Sequence, residues 1–226
     1  MGRLYKILLF APLKTLWVNF WGLPFRQAIH LPILVARGVR IAYLRRGSIE
    51  MVEQKVKRRC VQIGFNDLEW SYNKQSFISI QGKLVFRGSG LRLFSPGLTL
   101  VVAKGAVAEF VGDFSCSHND KIQVFKSLTV GKDNMWSFDV IVMDTDAHKI
   151  FNSEGEMISH NSSIVFGDHV WLGCRSIVLK GVTIPNGCVI GAGSIVSKSL
   201  QQGKAVYIGQ RLLRENIDWS KEMNFD

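Results

Sequence analysis

Between residues 166 and 201 apolar side chains recur at every sixth position. Cut into sixes, the stretch reads FGDHVW, LGCRSI, VLKGVT, IPNGCV, IGAGSI and VSKSLQ. The first position is Phe166, Leu172, Val178, Ile184, Ile190 and Val196. The fifth is Val170, Ser176, Val182, Cys188, Ser194 and Leu200, mostly small or apolar. Neither the helical period of 3.6 nor simple strand alternation produces this spacing. A six-residue period predicts a parallel β-helix: each hexapeptide is a short strand and a turn, and three make one triangular coil. First-position side chains then point inward and stack coil on coil. The second and fourth positions are read as corners, where glycine or a polar residue tolerates positive φ. Gly167, Gly173 and Gly191 follow the first position in three of the six units.

The register recurs upstream, with Val130, Trp136 and Val142 opening successive units and Val102 and Ala108 fitting more loosely. Trp136 is therefore expected in the core. Between 148 and 165 the period breaks in a stretch rich in Asn, Ser, Glu and Gly, read as a loop thrown out from one corner. Such insertions map to one face of a solenoid and often carry function. Short β-like runs over 77–80 and 83–86 are read as degenerate first coils that cap the solenoid. The expected organisation is a basic amphipathic segment over 1–60, a β-helix over 61–201 with loop 148–165, and a C-terminal tail over 202–226, either a short helix or extended.

Charge changes the picture at one end only. The chain of 226 residues carries a net charge of +10, and all of it lies in the first 60 residues, with 12 Lys and Arg against 2 Asp and Glu. There the basic residues are mixed with Leu8, Leu9, Phe10, Leu16, Trp17, Phe20, Trp21 and Phe25. The mixture favours peripheral contact with an anionic membrane, with Arg26, Arg37, Arg40, Arg45 and Arg46 at the headgroups. It disfavours nucleic acid as a partner. The alternative is that the segment packs on the rest of the chain or on a neighbouring subunit. Hydrophobic residues at 47% and charged residues at 20% exclude a disordered or collagen-like chain. Cys60, Cys116, Cys174 and Cys188 show no CxxC and no dense spacing, which indicates a reducing compartment. No run of about 18 uncharged apolar residues appears. The expected location is cytoplasmic, with peripheral attachment at the inner face of the cytoplasmic membrane.

The coils with Val170-Trp171-Leu172-Gly173 and Gly191-Ala192-Gly193-Ser194 resemble those of the left-handed β-helix, hexapeptide-repeat acyltransferases. VGKDNMWSFDVIVMDTDAHKI over 130–150 and ISHNSSIVFGDHVWLG over 158–173 are similar to the active-site coil, loop and following coil of bacterial capsule and exopolysaccharide sugar O-acetyltransferases. NFWGLPFRQAIHLPILV over 19–35 is similar to the leader of such enzymes. The resemblance implies an all-β, left-handed parallel β-helix that moves an acetyl group from acetyl-CoA to a sugar hydroxyl. It also implies a homotrimer with active sites between subunits, and no metal.

Within that resemblance the catalytic histidine of a TD-x-H segment falls on His148. A sugar hydroxyl is a poor nucleophile at neutral pH, and an imidazole, with an unperturbed pKa of about 6.5, suits the role of general base. Asp144 and Asp146 flank it; one is expected to orient the imidazole and the other to bind sugar hydroxyls. Trp171 is expected to face outward as a sugar-stacking platform or a wall for the pantetheine arm. Gly173 permits close approach to the cosubstrate, with Ala192 and Ser197 on the same kind of outer edge and Lys198 as a phosphate contact. His160 and His169 are read as structural, with assistance at the site as the alternative. The Pro-Ala turn usual after the last coil is absent from residues 208–215, so Arg211 or Arg214 substitutes there. The rival to an enzyme is a β-helix scaffold or binding module without chemistry. A zinc hydratase is disfavoured because the five histidines have no close pair at ligand spacing.

Overall fold

The computed structural model describes residues 10–52, 56–65 and 74–222. Among these, the strands form three sheets, and up to Val189–Ile190 paired strands are parallel and three apart along the chain. That connectivity is a three-sided parallel β-helix, the class the six-residue period predicts. The first sheet runs from Ile33–Val35 through Val61–Ile63, Arg92–Phe94, Phe114–Cys116, Asn134–Trp136, Trp171–Leu172 and Val189–Ile190 to Val206–Ile208. The second runs from Val39–Leu44 to Ile195–Val196. The third runs from Ile49–Val52 to Thr183–Ile184.

The expected inward positions point inward. Phe166, Leu172, Val178, Ile184, Ile190 and Val196 are all buried, as are Val170, Ser176, Val182, Cys188, Ser194 and Leu200. Trp136 is fully buried. It belongs to an aromatic column along the axis, 5.0 Å from Phe114 below and 5.0 Å from Phe166 above, with Phe110 a further 4.7 Å from Phe114. Burial of one such ring stabilises by about 1.5–3 kcal/mol. Cys116, Cys174 and Cys188 are free thiols.

The two corner positions differ in kind, which corrects the expectation that both tolerate positive φ. The fourth position is left-handed at His169, Arg175, Gly181, Gly187 and Gly193. The second-position glycines are not. A Cβ at Gly173 would stand 2.6 Å from the Ala192 amide nitrogen of the next coil, and one at Gly167 would run into the side chain of Asn186. At Gly167 and Gly173 glycine is required by the close approach of stacked coils.

The coils begin earlier than residue 61. Ile33–Val35 pairs with Val61–Ile63, Val39–Leu44 with Ser76–Ile80, and Ile49–Val52 with Lys83–Arg87. Residues 33–52 thus form a coil, and 77–80 and 83–86 lie in ordinary coils rather than caps. The six-residue count fails there because intervening turns vary in length. The cap is the helix Pro12–Gly22, which opens with proline at its first position and buries Thr15, Val18, Asn19 and Gly22. That i, i+3, i+4, i+7 spacing lays one face on the first coil. The Asn19 amide donates to the Ile33 carbonyl (2.7 Å) and accepts the Ile33 N–H (3.2 Å). The Thr15 hydroxyl accepts the Val35 N–H at 3.1 Å. Leu8 and Leu9, expected in the basic segment, lie outside the described residues.

At the other end Arg211–Arg214 folds back antiparallel to Val206–Ile208. The chain then returns along the first sheet, where Trp219 stacks on His169 with centroids 4.1 Å apart and planes 10° apart. The tail is extended, without a helix among its described residues.

Candidate functional site

The break in the repeat is a loop over 144–163, between the strands Ile141–Met143 and Ile164–Phe166. It leaves the corner between the second and third sheets. Ile164 and Val165, placed in the loop by the sequence pattern, belong to the returning strand.

The loop's root is built by hydrogen bonds from Asp144. Its buried carboxylate accepts the backbone N–H groups of Phe125 (2.6 Å) and Lys126 (2.7 Å) from the coil below. Burial pushes this carboxyl above its usual pKa, and the amide hydrogen bonds partly offset that. Asp144 therefore ties two coils together and has no free face for a sugar. The next residues form a tight turn. The Thr145 hydroxyl accepts the Ala147 N–H (2.9 Å), the His148 N–H donates to the Asp146 carbonyl (2.7 Å), and Ala147 is left-handed at φ 60°. This turn carries His148 to the surface, where the side chain is exposed. No hydrogen bond joins its imidazole to another described residue. Neither flanking aspartate orients the ring, contrary to expectation, because both carboxylates face other partners.

Asp146 forms an ion pair with Lys180, which projects from the corner one coil above. Both side chains are about a quarter exposed, at 27% and 26%. Lys180 escaped the reading of the sequence. Its signal is register: Met143 pairs with Leu179, so Lys180 occupies the rung position of Asp144 in the next coil. Ser197 and Lys198 stand one coil higher on the same edge, both exposed.

His148 opens into a cleft of about 290 Å³ lined by Phe125, Thr145, Asp146, Lys149, Met157 and His160, together with Ser159 and Asn161. His160 is thus part of the cleft, with its Nδ1 3.3 Å from the Ile158 carbonyl oxygen. The cleft offers an unengaged imidazole, hydroxyl and amide groups for sugar hydroxyls, and the Phe125 and Met157 side chains as apolar walls. Its order along the edge is cleft, then Lys180, then Lys198, a path with two cations above the histidine.

Other expected site residues lie elsewhere on the chain. Trp171 is half-buried on the first sheet, where its indole N–H donates to the Ser137 hydroxyl (3.1 Å) and its ring meets Trp219 at 5.9 Å. Gly173 and Ala192 touch each other at the corner between the first and second sheets. Arg211 is exposed at the start of the final strand, Arg211–Arg214. Within one chain, then, His148, Asp146, Ser197 and Lys198 share one edge, and Trp171, Gly173, Ala192 and Arg211 do not. His169 is structural, as expected. Its Nδ1 lies 2.6 Å from Asp133, and its Nε2 lies 3.0 Å from the Trp219 carbonyl oxygen. Among the described residues no group of three His, Cys, Asp or Glu side chains is placed to hold a metal ion.

No family model matches the chain. It is 32% identical over 124 residues to a polysialic acid O-acetyltransferase of Neisseria meningitidis, covering 48% of this chain and 57% of that protein. It is 29% identical over 137 residues to a galactoside O-acetyltransferase of Escherichia coli K12, covering 58% and 62% respectively. The aligned stretch thus spans about three fifths of the length of these curated relatives. A solved polysialic acid O-acetyltransferase, OatWY, is similar over 83% of this chain and 90% of that one, with a TM-score of 0.45 and 21% identity. Over the stretch it shares with these curated relatives, this chain is similar to O-acetyltransferases.

Proposed function

We propose that this protein is an acyltransferase that moves an acetyl group from acetyl-CoA to a hydroxyl of a sugar in a bacterial surface polysaccharide or its precursor. One observation carries the reading: the unengaged imidazole of His148 stands at the mouth of a polar cleft, in a chain whose relatives bear the names of sugar O-acetyltransferases. His148 takes the proton of the acceptor hydroxyl as its oxygen attacks the thioester carbonyl carbon. The carbon–sulfur bond then breaks, and the imidazolium returns the proton to the departing thiolate. General-base help of this kind contributes about 10² to 10⁴-fold.

The residues of the two groups on one chain meet in a side-by-side homotrimer. There the edge carrying His148, Ser197 and Lys198 faces the Trp171, Gly173 and Ala192 side of a neighbour. The loop supports this assembly. Ile150, Phe151, Met157 and Ile158 around its tip are about half exposed, more apolar surface than a loop projecting into water carries without cost. Arg211 and Lys198 are the candidate phosphate contacts of the cosubstrate.

The direct test is mass spectrometry of nucleotide sugars and lipid-linked oligosaccharides incubated with the protein and acetyl-CoA. Addition of one acetyl unit identifies the acceptor class. His148→Ala lowers the rate at least about 10²-fold with the oligomer intact. Unchanged turnover in that variant removes His148 from its role. Absence of acetyl-CoA binding and turnover in the unaltered protein leaves a binding scaffold.

A further inference from the structure

The helix Pro12–Gly22 buries a face that is small and partly polar and leaves its more apolar face uncovered. While Thr15, Val18, Asn19 and Gly22 lie on the first coil, Leu13, Leu16, Trp17 and Phe20 lie on the opposite side at the same i, i+3, i+4, i+7 spacing. Leu13 is 81% exposed and Phe25, just beyond the helix, 72%. Phe20 and Phe25 meet with centroids 6.1 Å apart, so the stripe continues past the helix end. A stripe of this kind on a surface helix marks a docking site for an apolar partner.

The surroundings identify the partner. Between residues 10 and 52 the basic side chains are Lys14, Arg26, Arg37, Arg40, Arg45 and Arg46, and the acidic one is Glu50. Glu50 lies on the third sheet, 3.9 Å from Lys83. Arg46 stands over the Trp21 ring at 5.6 Å, and Arg26 adjoins Phe25. Trp21 donates its indole N–H to the Leu44 carbonyl (3.0 Å), a polar anchor at the edge of the stripe. Aromatic and aliphatic side chains rimmed by cations fit an anionic lipid surface. A second copy docked face to face would bring like charges together.

Position supports the same partner. Hydrogen bonds tie the segment to all three strands of the first coil: Asn19 to Ile33, Trp21 to Leu44, and Gln27 to Met51. The helix therefore plugs the end of the coil stack, and its free face looks outward along the axis. We propose that this face docks the protein end-on to an anionic bilayer. In the homotrimer proposed above, three such faces lie on the same end, so they engage one flat surface together. Docking itself needs neither the trimer nor acyl transfer. The cleft at His148 lies four coils up the second sheet, about 19 Å from the capped end at ordinary strand spacing.

The test is sedimentation of the full chain with vesicles of phosphatidylcholine mixed with phosphatidylserine, against phosphatidylcholine alone. The protein pellets with the anionic vesicles and is released by raised salt. The Leu13→Ser/Leu16→Ser/Phe20→Ser variant, with circular dichroism and oligomeric state retained, loses at least about tenfold in partitioning. Should that variant misfold, Arg26→Gln/Arg46→Gln replaces it, and its preference for anionic vesicles falls. No pelleting of the unaltered protein overturns the proposal. So does equal pelleting of variant and unaltered chain, or loss of the oligomer on serine substitution, which would assign the face to a second copy. A salt-sensitive complex with duplex DNA in place of vesicle binding also overturns it. None of these readouts depends on turnover, so failure of the acetyl-transfer reading leaves docking standing, and the reverse.

Discussion

Replacing Gly173 by alanine adds one methyl group where two coils are closest. The new Cβ stands 2.6 Å from the Ala192 amide nitrogen, 2.7 Å from the Ile190 carbonyl oxygen and 3.0 Å from the Ala192 Cα. All three are backbone atoms, so no side chain can swing aside. Reaching an ordinary 3.4 Å contact requires a shift of about 0.8 Å between coils. The Gly173 N–H to Ile190 carbonyl hydrogen bond, now 2.7 Å, sits in the gap that must open. Overpacking of this kind costs about 1–3 kcal/mol. Weakening the hydrogen bond adds about 1 kcal/mol. For a chain of this length each kcal/mol moves the thermal midpoint by about 2–4 °C, so a fall of about 4–16 °C is expected. Gly38→Ala is the control. Its Cβ meets nothing closer than the Lys74 carbonyl oxygen at 4.0 Å, and the change should stay within about 0.5 kcal/mol. Differential scanning calorimetry at one protein concentration reads both. Equal midpoints for the two variants would refute the argument that coil spacing, and not conformational freedom, demands glycine at the second position.

Asp120 is buried, with one carboxylate oxygen taking the Val140 N–H at 2.7 Å and the other without a hydrogen bond, and burial pushes its pKa well above the usual carboxyl value. The folded chain thus holds this proton more tightly than the unfolded one, so stability declines as pH rises from about 4 through the raised pKa. Asp120→Asn should exceed the thermal midpoint of the unaltered protein by more at pH 8 than at pH 5; a gap that is the same at both pH values sinks the assignment. For the cleft, Lys180→Met and Asp146→Asn should each destabilise, and a double-mutant cycle should return a coupling of about 0.5–3 kcal/mol. Additive losses in denaturant titrations would mean that the pair contributes no more than an exposed one.

The architecture was legible because a β-helix writes its coils as a local period. Phe166 through Val196, and Val130, Trp136 and Val142 before them, open their units at fixed spacing, and each is buried as the period requires. The loop was legible for the converse reason, since an insertion interrupts the period and leaves polar residues in its place, whereas His148 stood out only through the resemblance of its segment to a TD-x-H motif. Outside these stretches the period is diluted by turns of varying length. The coil over 33–52 and the exchange of caps between 77–86 and the N-terminal helix were therefore visible only once the strands were paired.

What the sequence by itself determined is the repeat, its inward set of side chains, and the charge imbalance that isolates the first 60 residues. These are local or additive properties, readable without knowing which coil lies on which. Only the tertiary structure decided which neighbours each polar side chain meets. It turned Asp144 inward to the amides of Phe125 and Lys126, joined Asp146 to Lys180 across a coil boundary, and left the His148 imidazole open at the cleft. It also buried the Thr15, Val18, Asn19 and Gly22 face of the N-terminal helix, where Thr15 and Asn19 hydrogen-bond to the first coil, and left the more apolar face exposed. Partnerships between residues distant in sequence follow from the stacking register, and a six-residue period does not carry that information across a loop of variable length.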